Sequence, residues 1–248
     1  MLLRALAATL LVLAAGCAQS PVSGSTADLE DTSAAEATAG PLAWLTGCGG
    51  YNAFVAMSPD SARRHIPSNW TPMTFHGGAT TSLRMMALRC DQASLLLLGG
   101  PVLTDATPPE NPDFVYGFWT DAPAVAAAYA ALRVPGGLAE FQWGTSAAGT
   151  PTVTVSSAAG PVASMQGVDP GRPGGRYEIH AEYAHSRDDL TWSSGLEVSE
   201  ATSIVAVRVE VGPASGLDAA TIPPAAFAQL WSLDTLEYRA GRAPAGHA

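Results

Sequence analysis

The sequence predicts a mainly β fold with a few short helices, arranged as a single β-barrel-like domain. Three observations predict it. Ten apolar, β-branched or aromatic runs recur along the chain, each bounded by Gly, Pro, Asp or Ser. They follow one another at the short spacing of a barrel or sandwich. The stretch that contains them, about 200 residues, suits one all-β domain better than two.

In order, the expected strands are Tyr51 to Met57, Thr80 to Cys90, Ser94 to Leu103, Phe114 to Trp119, Leu138 to Trp143, Thr150 to Ser156, Val162 to Gln166, Arg176 to Tyr183, Leu190 to Val198 and Ser203 to Val211. Three helix signals interrupt them. Ser58-Pro59-Asp60 offers an N-cap, a proline at the first helical position and an early acid, and Pro67 limits that helix. Asp121 is expected to cap a second, with Val125, Ala128, Tyr129 and Leu132 on one face and Gly136-Gly137 as its stop. Thr221 with Pro223-Pro224 opens a third, with Phe227, Leu230 and Trp231 as its apolar stripe.

Ahead of the strands, Met1 to Arg4 is a short basic region and Ala5 to Ala15 an apolar run broken by Thr9, too short to span a bilayer. Ala14-Ala15-Gly16-Cys17 then resembles the lipobox of bacterial lipoproteins, although Leu13 sits one place earlier than that family's usual leucine. The resemblance implies a signal peptide over 1–16, lipidation at Cys17 by palmitate-type chains, and an exported envelope protein held on a membrane. Two or more acyl chains anchor stably where one does not. With Ala18 after the cysteine, the membrane is the outer one if the cell is Gram-negative. An ordinary secretory signal with an incidental cysteine is the alternative.

Residues 17–40 read as a lipidated cysteine and disordered tether, because Ser, Thr, Ala, Gly and acids with one Leu bury too little surface to offset chain entropy. Its coil span is about 25 Å. The globular domain is expected over 41–240, with a flexible tail at 241–248.

The chain carries 22 acidic residues against 12 basic ones, all of them Arg. Such a surface repels phosphate backbones, so nucleic acid is not expected as a partner. The absence of Lys excludes a Schiff base with a side-chain amine, and with it pyridoxal chemistry and lysine-dependent decarboxylation. With Cys17 consumed by lipid, Cys48 and Cys90 remain in an oxidising compartment. Their pairing is the expected disulfide, closing a loop of about 43 residues and contributing about 3–4 kcal/mol. A free nucleophilic cysteine is the alternative.

One further pattern carries a resemblance. A strand, the Ser58-Pro59-Asp60 helix, the Ile66-Pro67-x-x-Trp70-x-Pro72 elbow and the Gly77-Gly78 turn lead into a long strand ending at Arg89-Cys90. This opening is similar to that of the acetoacetate-decarboxylase-like fold. The resemblance implies a closed barrel around a partly apolar cavity. It also implies a departure, since those decarboxylases form an imine on a Lys that this chain lacks.

Within such a cavity the candidate polar groups are few. Glu178, His180 and Glu182 share one face of a strand, where they could act as general acid and base, or as a metal site with His185. A solvated outer face is the plainer reading, and no metal and no cofactor is expected. Arg84, with Met86 and Leu88 on its strand face, is the candidate cation for an anionic ligand, with a structural ion pair as the alternative. Two functions stand. One is a non-catalytic envelope lipoprotein that binds a small apolar or weakly anionic molecule. The other is a lyase- or hydrolase-type enzyme using Glu178, His180, Glu182 and an Arg.

Overall fold

The computed structural model describes residues 41–68, 70–103, 113–131, 133–169, 177–184 and 190–242, with backbone alone for 41–44, 177–184, 190–204, 231 and 233–242. Eleven strands are present among them: β1 (Pro41–Met57), β2 (Thr71–Pro72), β3 (Thr81–Arg89), β4 (Ser94–Leu103), β5 (Asp113–Thr120), β6 (Gly136–Thr145), β7 (Pro151–Ser157), β8 (Gly160–Gly167), β9 (Tyr177–Ala184), β10 (Leu190–Val211) and β11 (Ala225–Arg242). Two α-helices interrupt them, α1 (Pro59–Arg63) and α2 (Pro123–Ala131).

Nine strands close a barrel in the order β4-β3-β1-β11-β10-β8-β7-β6-β5, with β5 pairing back onto β4. Within this barrel the ladders are antiparallel except where α2 carries the chain from β5 to a parallel β6. Strand β9 bridges β10 and the start of β5, so β10-β9-β5-β4-β3-β1-β11 forms a second closed circuit of hydrogen-bonded strands. The two circuits share a wall, and this explains the continuous apolar runs of β3 and β4. Leu83, Met85, Ala87, Leu96 and Leu98 belong to the barrel core with Tyr51, Val55, Val153, Met165 and Val207. Met86, Leu88, Leu95 and Leu97, on the opposite face, are fully buried too. A strand buried on both faces loses the apolar–polar alternation of a one-sided sheet.

Local chemistry sets the connections. Ser58 caps α1 as expected, its hydroxyl accepting from the amides of Asp60 and Ser61. In the elbow, Trp70 meets Phe114 edge-on at 5.6 Å and Pro72 pairs with Val102. Gly50 and Gly136 are required by close approach: a Cβ would lie 2.1 Å from the Ala87 carbonyl oxygen at one and 1.9 Å from that of Phe118 at the other. Cys48 and Cys90 form a disulfide, sulfurs 2.02 Å apart, continuing the Gly49–Arg89 register between β1 and β3.

Three expectations are corrected. The third helix is a single 3-10 turn, Ala219–Thr221, followed by β11. Its apolar spacing also fits a period of two: Phe227 stacks on Phe54 at 5.6 Å and Gln229 bonds Asn52, while Ala226, Ala228 and Leu230 face the core. β11 satisfies its backbone on both edges, against β1 and β10, and this outweighs the helical start signal. Second, Leu190 to Val198 and Ser203 to Val211 are one 22-residue strand, with register shifts near Val198 and Ala201 absorbing the polar break. Third, Asp121 does not cap α2. Its carboxylate accepts from the Ser94 amide at 2.7 Å, fastening β4 to the helix entry, and α2 buries Ala126 and Tyr129. Tyr129 stacks on Phe118 at 3.7 Å.

Candidate functional site

Alternation along β3 turns Leu83 and Met85 into the barrel core and Arg84 to the opposite face, beside Met86 and Leu88. That face is closed as well, and Arg84 is only 8% exposed. A guanidinium so desolvated requires polar partners. Its Nε donates to Asn52 Oδ1 at 2.7 Å and its Nη1 to Asp113 Oδ2 at 2.8 Å. Asn52 Nδ2 donates in turn to Gln229 Oε1 at 3.2 Å. Four strands of the shared wall, β1, β3, β5 and β11, thus each supply one member of a polar chain. Of the two readings open for Arg84, the structure supplies the ion pair, and it holds the guanidinium in a fixed orientation.

Tyr116 lies on the core face of β5, next to this chain. Burial raises its hydroxyl pKa strongly, and the Asp113 charge adds to the rise. It is a neutral phenol at physiological pH.

Glu178, His180 and Glu182 fall on β9, where their register partners on β10 are Glu197, Gly195 and Ser193. Strand β9 meets β5 at Tyr183–Asp113 and Ala184–Phe114, so its end adjoins the acid that pairs with Arg84. The side chains of this trio, and all of His185, lie outside the described residues, as does Cys17. Among the described residues, no group of three or more His, Cys, Asp or Glu is placed to hold a metal ion.

A cleft of about 600 Å³ opens at the mouth of the nine-strand barrel, between the Gly47–Gly50 stretch of β1, the end of β3 and the β6–β7 connection. Arg89 continues the core-facing series Leu83, Met85, Ala87 and emerges there, flanked in register by Gly49 and Ser94. Trp143 borders the cleft, and its indole Nε1 donates to Ser94 Oγ at 3.2 Å. On the rim the Asp91 carboxylate accepts from the Thr46 hydroxyl at 3.0 Å. It lies so close to Gly47 that a Cβ there would meet it at 2.6 Å. Beneath the mouth, the Tyr51 hydroxyl donates to the Pro151 carbonyl and accepts from the Gly167 amide. Neither Arg89 nor Trp143 stood out as a site residue in the sequence, where both read as strand ends.

No protein-family model matches the chain, and no curated protein matches it in sequence. Solved structures do. The chain is similar to MppR, an enduracididine biosynthesis enzyme complexed with pyruvate, at a TM-score of 0.50 and 13% identity over 84% of this chain and 91% of that one. An acetoacetate decarboxylase from Legionella pneumophila gives 0.48 and 13%, covering 81% of this chain and 85% of that one. An acetoacetate-decarboxylase-like enzyme from Sphingomonas wittichii gives 0.48 and 11%, covering 81% and 91%. At these identities the likeness is one of fold. The chain adopts the β-barrel class expected from its sequence, with acetoacetate-decarboxylase-like proteins among its structural neighbours.

Proposed function

We propose that the chain is a lipid-anchored envelope protein whose β-rich domain binds a small, weakly anionic molecule against Arg84, without lysine Schiff-base chemistry. The observation that carries this reading is a guanidinium 8% exposed beside Met86 and Leu88, oriented by Asn52 and Asp113. A planar guanidinium fixed in this way suits a carboxylate. The pyruvate held by MppR, a protein of similar fold, supports a small oxo-acid as the class to test. With no Lys in the chain, imine formation on a side-chain amine has no place in the reading.

Two measurements test it. Cys17→Ser is expected to abolish palmitate labelling and release the protein from membranes, and unchanged labelling ends the anchor. Pyruvate at about a hundred times its Kd should stabilise the native state by about 2.7 kcal/mol through mass action. For a domain of this size that is a rise in Tm of roughly 5–10 °C. Arg84→Met should remove the rise, and a melting temperature indifferent to pyruvate contradicts the binding reading.

A further inference from the structure

We infer that the barrel mouth is a second binding site, separate from Arg84, for a planar aromatic carboxylate bearing one negative charge. The cleft supplies the parts such a ligand needs. Arg89 brings a cation to the cleft, and its register neighbours Gly49 and Ser94 bring no acid to it. Among the described residues, no carboxylate lies within ion-pair distance of its guanidinium. This charge stands on a chain with a formal net charge of −10, so it is a local attractor on a surface that otherwise repels anions.

Shape comes from Trp143 and the glycines. The Ser94 hydrogen bond holds the indole in place, leaving an aromatic platform at the cleft wall. Gly49 and Gly149 line the cleft without side chains, and at Gly149 a Cβ would meet nothing within 4 Å, so a flat ligand can approach the backbone there. Asp91, fastened to Thr46, fixes a negative charge on the rim that disfavours a second carboxylate on the ligand. A conjugated monocarboxylate satisfies all three, with its carboxylate on Arg89, its plane on Trp143 and nothing negative towards Asp91.

The test is calorimetric titration of cinnamate into the full chain in detergent. Saturable binding is expected, with Arg89→Gln weakening it by about tenfold through loss of a charge-assisted contact. Trp143→Leu should weaken it severalfold. Uncharged cinnamamide should bind wild type and Arg89→Gln alike, and 4-carboxycinnamate should bind more weakly than cinnamate. Saturating pyruvate should leave cinnamate affinity unchanged, which separates this site from the Arg84 reading whether or not that reading holds. Arg89 is exposed, so its replacement leaves the core intact. Equal cinnamate affinity in wild type and Arg89→Gln, no saturable heat, or displacement by pyruvate overturns the proposal.

Discussion

Asp113→Ala is expected to destabilise the protein by about 3–5 kcal/mol, because it leaves the nearly buried Arg84 charge without its counter-ion. Both members of the pair are nearly buried, their side chains 9% and 15% exposed, so solvent screening offers little relief. At roughly 2–4 °C per kcal/mol for a domain of this size, thermal unfolding should begin on the order of 10 °C lower. The physical content of the claim lies in the rescue. Adding Arg84→Met to Asp113→Ala should recover most of the loss, since replacing both members of a buried pair by apolar groups is close to neutral. A double-mutant cycle by urea denaturation measures this directly. Additive losses from the two substitutions would mean that the pair is not the interaction that matters.

Removing the Cys48–Cys90 disulfide should cost about 4 kcal/mol in the loop-entropy model. The bond joins residues 42 apart and lies between the first two long strands of the barrel wall. Cys48→Ala with Cys90→Ala should therefore match the effect of a reductant on wild type, and the reductant should have no further effect on the double variant. Ellman titration of unfolded, unreduced protein should find neither thiol. Two free thiols, or a denaturation midpoint indifferent to reductant, contradicts the bond. The disulfide also borders the barrel mouth, so its loss should weaken cinnamate binding as well as stability.

What the sequence disclosed follows from how local each signal is. Ser58-Pro59-Asp60 announced α1 because a cap and a first-turn proline act within three residues. Ser94 to Leu103 was legible to the residue, since a run of Leu between Ser and Pro serves a doubly buried strand and little else. Arg84 stood out as a cation among Leu83, Met85 and Met86. Its partners did not, because Asn52 and Asp113 lie 32 and 29 residues away and only the closed sheet brings them together. β11 was misread because Phe227, Leu230 and Trp231 satisfy a helical period, and the long free edge of β1 that captures the segment is more than 150 residues upstream, with Asn52 and Gln229 177 apart. Arg89 was hidden for a related reason. Whether a strand-terminal arginine faces solvent or a barrel mouth depends on β6, 47 or more residues later in the chain.

A crystal structure of the chain soaked with pyruvate decides whether the layer around Arg84 receives a small anion. A carboxylate is expected within hydrogen-bond distance of the Arg84 guanidinium, with Asn52 and Asp113 still holding it from the other side. A layer filled by side chains alone at a pyruvate concentration that saturates other sites, with Arg84 contacting protein only, would contradict it.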